Sequence, residues 1–195
     1  MQFRRLSLAA PLAAIALAGC GVNAIPTAEE NAKAKWADVQ NQYQRRADLI
    51  PNLVATVKGY ATHEQSTLEG VTEARAKATS ITVSADDLKD PAKVKAFQDA
   101  QNQLSGALGR LLAVQESYPQ LQADQNFLAL QSQLEGTENR IAVARSDYNA
   151  AVQAYNTRIR TFPDTIAAKI IYGAKPITPF TATAPNAEAA PKVSF

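Results

Sequence analysis
A single cysteine, a single histidine, eight glycines and a formal net charge of only +2 define this chain by what it lacks. One cysteine, Cys20, excludes any disulfide within the chain. One histidine, His63, excludes the two-histidine zinc helix, since position 67 is Thr67, and it excludes a di-iron bundle, which needs two Glu-x-x-His pairs. Glu135-x-x-Glu138 has no histidine beside it. No serine sits in a Gly-x-Ser-x-Gly turn, and no glycine-rich loop is present to cradle phosphate. Asp86 and Asp87 pair two carboxylates, but in a polar stretch where solvation is the simpler reading. The sequence therefore predicts no catalytic residues, no metal, no cofactor and no enzyme.

Long apolar runs are also missing. The most apolar stretch, Leu6 to Leu17, contains Pro11 and falls short of the roughly 20 residues that span a bilayer. Arg4 and Arg5 precede it and Leu17-Ala18-Gly19-Cys20 follows. A charged start, a short apolar core and small residues before a cut point make a signal peptide. The cysteine at the cut point resembles a lipobox, which implies cleavage between Gly19 and Cys20, diacylglycerol on the Cys20 thiol and an acyl chain such as palmitate on the new terminus. Acyl chains in combination anchor stably where one alone is marginal. The plainer alternative is an ordinary signal peptide that leaves a free thiol. Gly21 and Val22 lack the aspartate that resembles an inner-membrane retention signal, which points to the outer membrane.

Charge then excludes a partner class. Of 20 Lys and Arg, two (Arg4 and Arg5) lie in the leader, leaving 18 against 18 Asp and Glu. A neutral mature chain offers neither the cation excess that phosphate backbones demand nor a polybasic grip on anionic lipid. Nucleic acid is not an expected partner.

What is present is helical periodicity. Phe127, Leu134, Ile141, Tyr148, Tyr155 and Phe162 recur every seven residues, with Leu130, Thr137, Ala144, Ala151 and Arg158 interleaved. Such 3-4 spacing marks a helix packed along one seam. At 1.5 Å per residue that helix is about 54 Å long, and Phe162-Pro163 stops it. Trp36, Tyr43, Ile50, Val57, Glu64 and Val71 hold another register, with Val39, Arg46, Leu53, Tyr60, Thr67 and Ala74 between them. Pro51 falls inside this run without a phase change, so the run reads as one long kinked helix or two collinear ones, with no reversal. The pattern breaks from Ser80 to Asp90, and Asp90-Pro91 is a good N-cap and first-turn pair. Phe97, Leu104, Leu108, Leu111 and Tyr118 define a third helix that ends at Pro119; Gly106 and Gly109 within it would permit a close helix approach. Asp164 could cap a short helix to Tyr172, stopped by Gly173.

The expected fold is all-α: an elongated antiparallel up-down bundle of three long helices plus a short C-terminal helix. The expected organisation is a signal peptide over 1–19, a lipidated tether over 20–27, the bundle over 28–174 and a disordered Pro/Ala-rich tail over 175–195. The tail reading rests on four prolines between 176 and 191 and no periodicity.

Arg46-Ala47-Asp48-Leu49-Ile50-Pro51-Asn52-Leu53-Val54, continuing to Gly59-Tyr60 and His63-Glu64, resembles the signature of the LemA family. Tyr118-Pro119, Asn126-Phe127, Glu138-Asn139-Arg140-Ile141, Ala144-Arg145, Tyr148-Asn149, Tyr155-Asn156 and Phe162-Pro163 agree with it in order and spacing, so the likeness covers about residues 30–180. The resemblance implies an elongated helical bundle on a membrane anchor with no established enzymatic activity. Some members are associated with membrane remodelling in bacterial organelles. This chain departs where members usually begin with a transmembrane helix, and again after Tyr172-Gly173.

Several residues are candidates for structural or interaction roles. Arg46 and Glu64 fall on the seam of the first run, and Thr137 and Arg158 on that of the last. A buried charge needs a partner, since desolvation costs several kcal/mol. Arg46 or Asp48 is therefore expected to pair across helices, with Glu135 or Glu138 as the partner; at the rim such a pair would contribute only about 0–1 kcal/mol. His63 is expected to serve as a surface or interhelix hydrogen-bonding residue. Tyr148, Tyr155 and Phe162 form an aromatic stripe that reads as core rather than binding surface. Asn149 and Asn156, each following a stripe tyrosine, could cross-link helices or face a groove. The expected function is a membrane-anchored scaffold or interaction lipoprotein of the bacterial cell envelope, held by Cys20 on the extracytoplasmic face and bound to envelope proteins. Self-assembly on the bilayer to shape it is the alternative.

Overall fold
The computed structural model describes residues 23–181, and among them every regular element is helical. Four long helices carry the fold: α1 (Ala24–Tyr60), α2 (Gln65–Ser80), α3 (Pro91–Ala113) and α5 (Gln125–Arg158). Two short ones complete it, α4 (Pro119–Gln122) and α6 (Asp164–Ile170). The leader, Gly19 and Cys20 lie outside the described residues.

The single helix expected through Val71 is instead a hairpin. The chain leaves α1 at Tyr60, turns through Ala61–Glu64 and runs back as α2, so that Arg75 meets Ala47 and Val83 meets Trp36. Heptad phase survives the turn because both arms bury their stripes in the same core, which is why the phase alone could not reveal the reversal. Pro51 stays within α1, which continues to Tyr60. Proline lacks the N–H that would close the bond to the carbonyl four residues earlier. That orphaned Ala47 carbonyl accepts from Arg75 Nε of α2 at 2.8 Å. Pro51 thus creates an acceptor that the returning helix fills.

The remaining corners follow their local chemistry. Asp90 caps α3 by accepting from the amides of Ala92 and Lys93 at 2.9 and 3.4 Å, with Pro91 in the first turn. Asp124 caps α5 through Phe127 N at 2.8 Å and also accepts from Tyr60 Oη at 2.8 Å, tying the top of α1 to α5. Gly173, at φ +54°, ends the segment after α6 in the left-handed region that glycine tolerates. Asp164 does not cap α6; it opens the helix and pairs with Arg158 at 3.6 Å.

The result is an up-down-up-down arrangement of four long helices rather than the expected three. α1 packs along α5 and against α2, and α2 packs along α3. α3 and α5 are not packed directly on each other along their length. Gly106 and Gly109 mark no close approach, since both are exposed and a side chain added at either would meet open space or only ordinary contact.

The core divides in two. The lower cluster, at the end where α1 begins, is aromatic: Trp36 lies 5.3 Å from Phe97, 5.4 Å from Tyr148 and 5.7 Å from Phe180 between ring centroids. The upper cluster is mainly aliphatic, built from Ile50, Leu53, Val57, Leu104, Leu111 and their neighbours around the one buried ring of Phe127. Helix already begins at Ala24, inside the span expected as tether.

Candidate functional site
Between the two cores lies a polar layer centred on Arg46, which is 1% exposed. Its Nη1 donates to Glu138 Oε1 of α5 and to Ser105 Oγ of α3, both at 2.7 Å. Its Nη2 donates to Gln101 Oε1 at 2.7 Å and to the Gln101 carbonyl at 3.2 Å. Gln101 in turn donates through Nε2 to the Ala78 carbonyl of α2 at 3.2 Å. One guanidinium therefore links all four long helices. The Tyr43 ring sits 5.1 Å from its carbon, and only Nε lacks a partner. Of the two candidate acids, Glu138 meets Arg46, while Glu135 accepts from Gln131 on its own helix. Asp48 is exposed and accepts from Gln44 on its own helix. Glu138 remains 46% exposed, so the pair is half hydrated and the arginine bears most of the desolvation. The remaining seam residues are milder: Thr137 bonds the Gln133 carbonyl, and Glu64 accepts from Tyr118 Oη at 3.3 Å.

Below this layer, residues 175–181 of the segment expected to be disordered are packed, and residues 182–195 lie outside the described residues. The packed part runs extended along the seam between α3 and α5, with Ile177 and Phe180 buried. Asn156 holds Ile177 by both backbone groups, accepting its N–H at 2.9 Å and donating to its carbonyl at 2.7 Å. Asn149 does the same for Phe180, at 2.8 and 3.0 Å. Tyr155 Oη donates to the Lys175 carbonyl at 3.1 Å and Tyr148 Oη to that of Thr178 at 2.9 Å. Gln98 of α3 and Arg145 of α5 both donate to the Thr181 carbonyl, at 2.7 and 3.2 Å. The Arg145 guanidinium also lies over the Phe180 ring, 4.8 Å from its centroid.

The register of this strap follows from two rises. Asn149 and Asn156 are seven residues apart, about 10.5 Å along a helix. Ile177 and Phe180 are three apart, about 9–10 Å along an extended chain, and a three-residue repeat returns both side chains to one face. Pro176 and Pro179 fall at strap positions where no ladder donor is needed. Burial pushes the Tyr148 phenol well above its usual range and that of Tyr155 up to about 12. Both therefore stay protonated, as donors to carbonyls must.

Composition misread the strap because its partners are helix side chains, which leave no period in the strap's own sequence. The Tyr-Asn pairs at 148–149 and 155–156 were the available signal. The aromatic stripe stops one step early: Tyr148 and Tyr155 are fully buried, but Phe162 is 80% exposed because α5 ends at Arg158. His63 and Asn52 are exposed, His63 in the turn between α1 and α2 and Asn52 on the outer face of α1 just after Pro51.

Above the strap the same seam is open. Ser105, Leu108 and Leu112 of α3 face Leu134, Glu138 and Asn139 of α5 across a groove of about 500 Å³. Among the described residues no three His, Cys, Asp or Glu side chains converge to hold a metal. No described helix is long and apolar enough to cross a membrane.

Comparison with known proteins places these motifs. The sequence model of the LemA family matches residues 35–195. The chain is 31% identical over 157 residues to magnetosome protein MamQ 1 of Paramagnetospirillum magneticum, an alignment covering 72% of this chain and 58% of that protein. It is 30% identical over 157 residues to magnetosome protein MamQ of Magnetospirillum gryphiswaldense, with the same coverage of 72% and 58%. Protein LemA of Metamycoplasma hominis is 27% identical over 124 residues, covering 64% of this chain and 52% of that protein. The chain thus spans little more than half the length of these curated relatives.

Proposed function
This chain belongs to the LemA family, and from that premise we propose that it is a lipid-anchored helical scaffold of the bacterial cell envelope that binds protein partners and performs no catalysis. The observation that carries this reading is the continuous seam between α3 and α5. Its lower half already holds an extended segment of the chain itself by side-chain-to-backbone hydrogen bonds. Its upper half offers the same kind of surface unfilled, with Leu108, Leu112 and Leu134 as apolar lining and Glu138 and Asn139 at the rim. An extended peptide segment of an envelope protein fits this surface. The polar residues that the sequence singles out, Arg46 and the two asparagines, bond structure and leave no open acid-base pair.

Attachment rests on Cys20, with signal cleavage after Gly19 and the bundle on the extracytoplasmic face of the outer membrane. Photo-cross-linking in cells tests the reading. A cross-linker at Leu112 or Asn139 should trap one or two discrete proteins, whereas one at Gln153, which does not line the groove, should not. Cys20→Ser should abolish the adducts by releasing the protein from the membrane. Adducts only with further copies of this chain would instead support the second reading, a protein that self-assembles on the bilayer and shapes it. Equal adducts from Leu112 and Gln153 would overturn the assignment of the groove.

A further inference from the structure
Eight large hydrophobic side chains stand exposed among the described residues, and five of them fall within the eleven residues from 162 to 172. Phe162 is 80% exposed, Ile166 52%, Ile170 78%, Ile171 61% and Tyr172 40%. Scattered exposed hydrophobics are ordinary, but a contiguous group marks a surface that meets something apolar. Helix α6 is amphipathic in the simplest sense. Ala168 is buried in the lower core and Ala167 packs partly against it, while Ile166 and Ile170, four residues apart, face out.

The place of this patch in the fold identifies its partner. α6 packs against α1, and Ala28 near the start of α1 packs on the same lower core as Ala167 and Ala174. The patch therefore occupies the end of the bundle at which α1 begins. Asn23, the first described residue, is there, and Cys20 precedes it by three positions. Charge agrees. Residues 158–175 carry Arg158, Arg160, Lys169 and Lys175 against one acid, Asp164, in a mature chain that is balanced as a whole, so the cations are concentrated here. Arg158 is spent on Asp164, while Arg160, Lys169 and Lys175 are exposed.

We propose that this end of the bundle, from Phe162 to Tyr172, is a membrane-contacting face that seats the protein on an anionic bilayer surface. Isoleucines reach the acyl boundary, Tyr172 lies at headgroup level, and the three free cations meet lipid phosphates. This rests on the anchored reading and deepens it. A chain tethered at Cys20 could tumble on its linker, whereas a second contact fixes how the bundle stands. Standing on this face, the bundle would hold Glu138 about 30 Å above the bilayer, given some 20 residues of α5 between it and Arg158 at 1.5 Å each. The open seam would then face the periplasm, clear of lipid.

The test uses full-length lipoprotein reconstituted into vesicles of phosphatidylcholine and phosphatidylglycerol. Lipidation consumes the native thiol, so Ile170→Cys or Leu128→Cys supplies one free thiol for an environment-sensitive dye. Leu128 is 47% exposed and lies at the far end of the bundle. With spin-labelled lipid near the headgroups, quenching at position 170 should exceed that at 128 by about twofold or more, as interfacial burial requires. Equal quenching at the two positions overturns the proposal. So does a dye at 170 that is already blue-shifted in the anchor-free Cys20→Ser protein without lipid or detergent and returns to its aqueous colour on dilution, because a second copy would then cover the patch. Flotation of Cys20→Ser reads the anchor separately. Loss of binding in that variant upholds the anchor whatever the dye reports, and an intact-mass spectrum of the native protein that lacks acyl chains on Cys20 overturns the anchor while leaving the quenching comparison to judge the patch.

Discussion
The two halves of the bundle are built on different physics. The upper half is a mainly aliphatic core in which Ile50, Leu53, Leu104 and Leu111 interlock, with its hydrogen bonds, such as Tyr60 to Asp124, made at its margin. The lower half is aromatic, and its rings serve twice. Trp36, Tyr148 and Tyr155 fill volume, and each also donates a hydrogen bond outward: Trp36 Nε1 to the Val83 carbonyl at 3.0 Å, the tyrosines to the strap. The upper core holds its turns and the 114–124 connection by burying side chains such as Ala61 and Leu121. An aromatic core with polar tips can also hold irregular chain, because it supplies the partners that loops and straps need for their backbone groups. The strap and the Ser80–Asp90 connection both sit on the lower half for that reason.

Removing Trp36 should break the comparison most severely. Trp36→Ala deletes a ring that touches three others and a loop acceptor's partner, and should cost about 3–5 kcal/mol in urea unfolding. Leu53→Ala in the upper core should cost about 2–5 kcal/mol while leaving the amides of Ile177 and Phe180 protected from hydrogen exchange. Strap protection lost equally in both variants would mean that the halves are one unit. At the boundary, Glu138→Ala leaves the buried Arg46 short of an acceptor and should cost about 1–3 kcal/mol. Unchanged thermal stability in that variant would show that the polar layer does not support the fold.

Smaller effects sharpen the picture. Asn149→Ala removes both backbone bonds to Phe180 and should release the strap for about 1–2 kcal/mol. Exchange at Phe180 should accelerate while that at Leu53 and Leu104 stays slow. The smallest effect is with pH. The folded Tyr155 pKa is raised to about 12, above the ordinary value of 10 that it regains on unfolding. Its contribution is therefore complete below pH 10 and is lost as pH rises from 10 towards 12. The urea midpoint of the native protein should fall more between pH 9 and pH 11 than that of Tyr155→Phe.

Much of this was legible residue by residue. The heptad stripe from Phe127 to Tyr155, the Asp90-Pro91 corner and the seam position of Arg46 are readable from spacing, whereas the cross-helix pair stays open between Arg46 and Asp48 on one side and Glu135 and Glu138 on the other. Each readable feature depends on the i, i+3 and i+4 neighbours that a helix brings together, so a short window contains the whole cause. The reversal at Ala61–Glu64 was hidden because both arms keep one heptad phase. Phe162 continued the stripe on paper, but the helix that would have buried it had ended. The strap was hidden because its bonds are made to residues 20 to 90 positions away.

Sequence by itself determined that the chain is helical, which faces are apolar and that a few charges, Arg46, Glu64 and Arg158, fall on the seams. Tertiary structure alone decided that α2 turns back onto α1, that four helices share Arg46 and that Asn149 and Asn156 hold the chain's own segment. The physical reason is the same throughout. Helical periodicity is a local property with a local cost, whereas the orphan carbonyl left by Pro51 and the backbone of residues 175–181 are satisfied only by groups that folding brings from elsewhere in the chain.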